Sequence, residues 1–351
     1  GYPGSIASTF QQAGRDGRVE EGLVFLIASS NPVDQYVLHH PEYLFSKGAE
    51  PTIVNANNRY ITAAHLLCAA HEHPLSDDDT NYFGESVMEI ANQLSGAGYL
   101  TKVAIHDGGE FYKDSSTGAQ RTHYLWAGSE RPHDAVGIRT ITGRNYEIRD
   151  LSQGEALLGT VDEDRAFATV YEGAIYLHAG NTYRVRRLDI PNRVAYVEPV
   201  NVDEYTLPLR HTDVTIQSTI CDESLPKADA AYGELNVSQQ VFAYKRLRLF
   251  TEQVIEICPL ELPPQEFDTI GLWLLPAFEI TELLESKGMN VMGALHAAEH
   301  ALTALMPLVT LCDIHDIAGV SYGVHPQIGR PAIFIYDVYP GGAGFAESAF
   351  E

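Results

Sequence analysis

Cysteine and basic residues are both scarce in this sequence. Four cysteines, Cys68, Cys221, Cys258 and Cys312, are dispersed over 351 residues with no close pair among them. Zinc sites built from cysteine normally need close pairs such as C-x₂-C, so we predict no metal site in this chain.

Lysine and arginine number 23 against 47 aspartates and glutamates, which gives a net charge of −24. This balance argues against a generally basic nucleic-acid-binding surface, and any DNA-binding channel must be local.

Long hydrophobic runs are also missing. The densest one, residues 270–278, is far shorter than the roughly 20 residues that span a bilayer. The first 18 residues have no apolar core of the kind found in signal peptides. We therefore expect an intracellular protein with no membrane partner, in the cytoplasm of a bacterium or archaeon or in the nucleus of a eukaryote.

The beginning of the chain predicts a piece of a larger α/β lobe. Residues 23–27 form the apolar run Leu-Val-Phe-Leu-Ile, which ends at the turn-forming residues 29–32. Such a run is typical of a fully buried strand in a parallel sheet. One helix and one strand cannot form a core alone, so we expect residues 1–37 to be a tail whose partner elements lie outside this sequence. The last residues also read as an element cut short, so the chain is expected to be a fragment.

The next part predicts a winged helix. Helical spacing of apolar residues is followed by two strand-like pieces, which are joined by the hairpin signal Asp107–Gly108–Gly109. The predicted helices are residues 59–73 and 85–95, and the predicted strands are residues 99–105 and 110–112. We assign residues 38–130 to this domain.

Short β-rich runs punctuated by glycine, asparagine, aspartate and proline fill residues 131–258. They predict a small barrel-like domain. The runs are residues 136–141, 146–148, 166–171, 174–177, 183–188, 194–200 and 241–257. Residues 259–351 return to a mixed α/β pattern: a long helix over 289–312, interrupted near Pro307, a buried strand at 333–336 and the start of a helix at 345–351.

The strongest chemical signal is the segment from Gln11 to Arg18, which fits Q-x-x-G-R-x-G-R. Phosphoryl transfer spreads negative charge over the γ-phosphate oxygens, and a planar guanidinium stabilises that charge with two hydrogen bonds. Glycines beside the arginines let the backbone approach a nucleotide closely. We predict Arg15 and Arg18 as catalytic residues. Gln11, Gly14 and Gly17 are the predicted nucleotide-contacting residues. An exposed glycine–arginine loop without function is the alternative.

This motif resembles motif VI of superfamily 2 helicases, which carries their arginine fingers. Further segments extend the resemblance over nearly the whole chain, to the YprA-type helicases, a group that includes the bacterial mitomycin repair factor A and its fungal RecQ-related counterpart. The segments are residues 1–8, 29–36, 40–42, 173–178, 296–300, 336–337 and 340–342.

The resemblance implies an ATP-dependent 3′→5′ DNA helicase of DNA repair, with DNA as its partner, both single-stranded and at duplex junctions. Together with the β-rich pattern of residues 131–258, it implies a multi-domain α/β fold of four parts. These are the tail of the second RecA-like lobe (1–37), a winged helix (38–130), a small β-rich barrel (131–258) and a C-terminal α/β domain that begins the family's zinc-binding domain (259–351). ATP and Mg²⁺ would be shared with a first lobe ahead of Gly1, and the zinc-binding cysteines would lie beyond Glu351. The chain alone is therefore expected to be inactive.

Three other signals bear on function. His296-x-x-Glu299–His300 matches the inverted zincin pattern and makes a zinc metallopeptidase the alternative enzyme. Gly341 to Gly344 before a helix is compatible with a phosphate cradle or with a plain turn. The best local basic stretches, with Arg184, Arg186, Lys245, Arg246 and Arg248, are candidate DNA contacts or solvated strand faces. A non-catalytic DNA-binding adaptor is the third possible function, which the arginine motif argues against.

Overall fold

The computed structural model describes residues 1–17, 21–46, 48, 53–106, 120–137, 145–310 and 312–351. Within those ranges, no helix has the length and apolar character required to cross a membrane.

Helices and strands alternate in a mixed pattern, as the sequence predicts. The helices are α1 (Ile6–Ala13), α2 (Pro32–His39), α3 (Glu42–Ser46), α4 (Arg59–Glu72), α5 (Thr80–Phe83), α6 (Val87–Gly96), α7 (Glu163–Thr169), α8 (Phe278–Ser286), α9 (Val291–Thr310) and α10 (Phe345–Phe350). The strands are β1 (Leu100–His106), β2 (Gln120–Trp126), β3 (Asn145–Asp150), β4 (Ala156–Asp162), β5 (Ile175–His178), β6 (Asn181–Asp189), β7 (Val194–Pro199), β8 (Glu204–Leu225), β9 (Ala228–Arg248), β10 (Val254–Pro259), β11 (Gln265–Pro276), β12 (Ile317–Tyr322) and β13 (Ala332–Asp337).

The chain divides into two compact units, each discontinuous in sequence. The first contains Gly1–Ala56, Thr212–Ser238 and Glu266–Glu351, and the second contains Asn57–His211 and Gln239–Gln265. The long strands β8 and β9 belong to both units, because each runs across a boundary between them. The four sequence ranges predicted as domains remain a prediction.

The second unit begins with the helices and hairpin strands expected of a winged helix. Helices α4 and α6 pack through Leu66, Val87 and Ile90 against Tyr124 of the strand pair. Strand β1 pairs antiparallel with β2, and an isolated bridge joins Leu75 to Tyr124. Both predicted helices and the first strand are therefore confirmed. The predicted turn at 107–109 and the second predicted strand at 110–112 lie outside the described residues, and the strand paired with β1 is β2.

A five-stranded sheet in the order β4-β3-β7-β6-β5 follows in the same unit, with β3 and β7 parallel and the other pairs antiparallel. No pairing among the described residues joins β4 to β5, so the predicted barrel is not confirmed. The prediction of a strand at 166–171 is wrong. Helix α7 occupies most of that run, and Ala166 and Phe167 of the helix and Val170 just after it are buried in the core of this unit. A short apolar run does not distinguish a buried strand from a buried helical turn. Residues 138–141 of another predicted strand lie outside the described ranges.

The sheet of the first unit is built around β13, whose residues are all buried. This strand pairs antiparallel with β11 on one side and β12 on the other, as expected for the buried strand predicted at 333–336. Helix α9 packs against β12 and β13. The predicted interruption at Pro307 is wrong, because α9 continues through it to Thr310. Proline removes one N–H donor from the helix, and Pro307 is itself buried.

The apolar run 23–27 is not the buried strand that the sequence predicts. It forms no regular structure, and Leu23, Phe25 and Ile27 are each more than 70% exposed. A strand exists only through hydrogen bonds to neighbouring strands, and no described residue pairs with this run. The run is apolar enough for a buried strand, but no described strand pairs with it.

Candidate nucleotide-contacting and DNA-binding sites

The arginine motif begins in helix α1 and continues into the turn that follows it. The Ser5 side chain caps the helix start by accepting a hydrogen bond from the Ser8 amide at 3.0 Å. Gly14 caps the end of the helix, and its amide donates to the Phe10 carbonyl at 2.8 Å. Gln11 and Arg15 are exposed on either side of this end, and Gly17 takes a positive φ of 69° that favours glycine. Arg18 lies outside the described residues.

Asp34 fixes the ends of the stretch that contains the motif. Its carboxylate accepts hydrogen bonds at 2.6 Å from the backbone amides of both Tyr2 and Ser29. The residue is 6% exposed. Burial by itself would raise the pKa of Asp34, but the hydrogen bonds from Tyr2 and Ser29 outweigh burial and lower it below the ordinary value of 3.8. The backbone amides of Tyr2 and Ser29, which are 27 residues apart in the sequence, are thereby bonded to one carboxylate.

We expect Asp34→Asn to destabilise the protein by about 1–3 kcal/mol at pH 7, since charge-assisted hydrogen bonds are weakened. A carboxylate whose pKa is lower in the folded state stabilises the fold above the unfolded pKa. That contribution is lost as the pH falls through the lowered value. The difference in unfolding free energy between parent and variant should therefore shrink as the pH falls from 7 to below 3.8. Urea unfolding at several pH values measures this difference in unfolding free energy. A difference that stays constant with pH would contradict the stabilising role of the Asp34 carboxylate.

The predicted basic strands hold their arginines in ion pairs. Glu204, which is 9% exposed, accepts from Arg184 and from Arg246, each at 2.7 Å. Arg246 also donates to Glu256 at 2.9 Å, and Arg186 is bonded to Glu198. Their charges are largely matched by carboxylates, which makes these three arginines better suited to holding strands together than to binding phosphate.

The remaining two basic candidates lie on β9. Arg248 is exposed and Lys245 is half-buried. In the described part of the chain, no carboxylate lies within ion-pair distance of either side chain. Arg248 borders a cavity whose lining also contains Glu204 and the fully exposed Phe250. These two cations are the ones left available for an external anion.

The glycine-rich turn before α10 already holds an anion from within the protein. The buried Asp337 carboxylate accepts hydrogen bonds from the amides of Ala343, Gly344, Phe345 and Ala346 at 2.6–3.2 Å. Gly342 and Gly344 adopt positive φ values of 72° and 99°, which let the turn fold around this side chain. The phosphate-cradle interpretation of this turn is therefore wrong, because the donors that it needs are taken by Asp337.

The inverted zincin motif also differs from what a peptidase needs. His296 and His300 are exposed on α9, but Glu299 is 6% exposed and bonded to His296 and Ser321. A general base must reach a water at the reacting centre. A glutamate buried behind the histidines does not meet that requirement, so the geometry disfavours the peptidase alternative.

Two family models match parts of the chain. Residues 54–141 match the winged helix domain of the ATP-dependent helicase HRQ1, and residues 298–351 match the MrfA Zn-binding domain. The first match confirms the winged helix.

Relatives match the chain along its whole length. The ATP-dependent helicase YprA of Bacillus subtilis (strain 168) is 33% identical over 100% of this chain and 44% of its own length. The ATP-dependent helicase HRQ1 of Saccharomyces cerevisiae is 27% identical over 100% of this chain and 32% of its own length. A crystal structure of the DUF1998 helicase MrfA bound to DNA is 32% identical, with a TM-score of 0.63, over 100% of this chain and 44% of that one. Another, of MrfA bound to DNA and AMPPNP, is 31% identical over 100% of this chain and 43% of that one, with a TM-score of 0.61.

The fold and the matches make the chain similar to the C-terminal region of superfamily 2 helicases. More particularly, it resembles the C-terminal region of YprA/MrfA-type helicases, and parts of it match the HRQ1 winged helix domain and the MrfA Zn-binding domain. The resemblance predicted from the sequence is confirmed. The chain spans less than half the length of the relatives that it matches.

The expectation that zinc belongs only beyond Glu351 needs correction, because the zinc-binding domain model already matches 298–351. Cys312 is the one cysteine of that range. Burial raises the pKa of its thiol to about 11, and Thr310 Oγ1 donates to its sulfur at 3.2 Å. Among the described residues, His296, Glu299 and His300 form the one close group of potential ligands. The described residues of 298–351 thus do not form a complete four-ligand zinc site.

Proposed function

We propose that this chain supplies the C-terminal part of an ATP-dependent 3′→5′ DNA helicase that acts in DNA repair. The observation that carries the proposal is the similarity of the whole chain to ATP-dependent helicases, at 33% identity for YprA. The direct test is ATP-driven unwinding of a tailed DNA duplex by the whole protein.

Arg15 and Arg18 are proposed to act on ATP bound by a first lobe outside this sequence. Arg15 is exposed just after α1, so its guanidinium is available to a ligand. Arginine fingers neutralise charge that develops on the γ-phosphate in the transition state, and the planar fork places two donors against its oxygens. Gln11, one turn earlier and also exposed, is proposed to contact a phosphate or the attacking water. Mg²⁺ would accompany the nucleotide on the side of the first lobe.

The winged helix and the end of β9 are proposed as the DNA-contacting parts of the chain. Helix α6 is not itself basic: it presents Glu89, Asn92 and Gln93, and Arg59 is held by Glu89 at 2.6 Å. The net charge of −24 leaves few local sources of positive potential. Exposed Arg248 beside the fully exposed Phe250 offers one, since a cation can contact the backbone while an aromatic ring stacks on a base. Single strands and duplex junctions are the proposed ligands.

We expect Arg248→Ala to weaken binding of single-stranded DNA for every sequence tested. Removing one contact to a phosphate should reduce the slope of log K against log salt by about 0.7 for single strands. Fluorescence anisotropy over a salt series measures both quantities. Arg149→Ala is the matched control, because Arg149 is held by Glu147 at 2.6 Å elsewhere in the same unit. Equal affinities and slopes for the parent and Arg248→Ala would remove this residue from the DNA-binding surface.

A further inference from the structure

Two exposed histidines on α9 bring their ring nitrogens together. The Nε2 atoms of His296 and His300, one helical turn apart, lie 3.1 Å from each other. Two imidazole nitrogens bound to one tetrahedral zinc ion at about 2.0–2.1 Å would stand about 3.3 Å apart. The pair is therefore arranged almost as two ligands of one ion. Without an ion, one Nε2–H donates to the other nitrogen.

Glu299 determines which nitrogen of His296 faces outward. Its Oε2 atom lies 3.0 Å from His296 Nδ1 and accepts a hydrogen bond from Ser321 Oγ at 2.8 Å. A carboxylate can only accept, so Nδ1 carries the proton and Nε2 keeps its lone pair for a ligand. This is the carboxylate–histidine arrangement that orients metal-binding imidazoles and increases their basicity.

The backbone of β12 makes room for this carboxylate. Glu299 is 6% exposed although it carries a formal charge, and buried carboxylates need partners. A Cβ atom at Gly319 would lie 2.8 Å from Glu299 Cγ, so only glycine lets the glutamate lie against the strand. A buried glutamate bonded to an exposed histidine gains little for folding, because the histidine could equally be solvated. The arrangement is explained if the hydrogen bond to Glu299 orients His296 for binding a ligand.

We propose that His296 and His300 bind a divalent transition-metal ion of the zinc class, with Glu299 as a positioning residue. Imidazole suits Zn²⁺, Ni²⁺, Cu²⁺ and Co²⁺, whereas Mg²⁺ and Ca²⁺ prefer oxygen ligands. Within the described residues no other histidine, cysteine or carboxylate joins this group. Water completes the coordination, and the ion is exchangeable. His296 precedes the range matched by the zinc-binding domain model, whereas Glu299 and His300 lie within it. No described cysteine joins the group, so this site differs in its ligands from a cysteine-based one.

The test uses the whole protein without a polyhistidine tag, with Zn²⁺ titrated calorimetrically and Co²⁺ followed by visible absorption. We expect one exchangeable equivalent of metal, with no thiolate charge-transfer band and no equivalent binding of Mg²⁺. His296→Ala and His300→Ala should each abolish that binding. Glu299→Gln should weaken it by about 10- to 100-fold, the usual effect of losing an orienting carboxylate.

His315→Ala is the matched control, because it removes another exposed histidine of the same unit and should leave the titration unchanged. Ser321→Ala removes the second hydrogen bond to Glu299 without altering α9, and it should also weaken metal binding. This variant tests the role of Glu299 even if Glu299→Gln does not fold. Unchanged affinity in both histidine variants, or binding that shows a thiolate band, would overturn the site. Unchanged affinity in Glu299→Gln and Ser321→Ala would overturn the role of Glu299.

Discussion

In the whole protein, we expect Arg15→Ala to lower DNA-stimulated ATP hydrolysis by about 10³- to 10⁵-fold, the range typical of a lost arginine finger. The loss should appear in kcat, because the guanidinium meets charge that is present only in the transition state. Arg15→Lys should recover little, since an ammonium lacks the planar pair of donors. Binding of single-stranded DNA should stay near the parental level, because Arg15 is not among the proposed DNA contacts. Steady-state hydrolysis at saturating DNA measures the effect.

Gln12→Ala supplies the matched control for this result. Gln12 is an exposed neighbour in α1 that occupies a variable position of the motif, so its removal should leave hydrolysis unchanged. Hydrolysis by Arg15→Ala at the parental rate would contradict the motif VI assignment. If the variant instead kept hydrolysis and failed to bind DNA, Arg15 would be a contact to the phosphate backbone.

Asp337→Ala should produce a larger loss of stability than Asp34→Asn. The substitution removes the acceptor of four successive amides, those of residues 343–346. Each buried amide left without an acceptor costs about 1–3 kcal/mol, so we expect a loss of about 3 kcal/mol or more in unfolding free energy. Burial raises the pKa of Asp337, and the amide donors oppose that rise. Denaturant titration followed by circular dichroism measures the loss.

Asp78→Ala is a suitable comparison for Asp337→Ala, because Asp78 is an exposed carboxylate that pairs with the exposed Arg121 at 3.4 Å. Exposed ion pairs contribute at most about 1 kcal/mol, so this variant should be nearly as stable as the parent. Similar losses in the two variants would mean that the turn does not depend on the Asp337 carboxylate.

Long periodic segments can be predicted from the sequence. Helix α4 and strand β13 are both predicted, because apolar residues repeat at helical spacing in the helix and fill residues 333–336 of the strand. The run 23–27 shows the limit of that reasoning. Its pattern indicates that these residues belong in a sheet, but an apolar pattern does not say whether the neighbouring strands are part of the same sequence.

Side chains that act across long sequence distances cannot be predicted in this way. Glu204 pairs with arginines 20 and 42 residues away, and no local pattern indicates such a pairing. The glycine-rich turn at 341–344 is compatible with a phosphate cradle in the sequence, since the sequence shows the donors but not the internal anion. The sequence signal that could have indicated an internal anion is Asp337, which lies six residues before the first of these amides. The motif of Arg15, by contrast, is local and is recognisable from its spacing alone.

The most direct measurement of the central claim is strand separation by the whole protein on duplexes that carry a single-stranded tail at either the 3′ or the 5′ end. Release of a fluorescent strand is followed with ATP and with a non-hydrolysable analogue. The proposed function predicts that the duplex with a 3′ tail is unwound, and only with ATP. Unwinding of the 5′-tailed duplex alone, or no unwinding of either duplex with ATP, would contradict it.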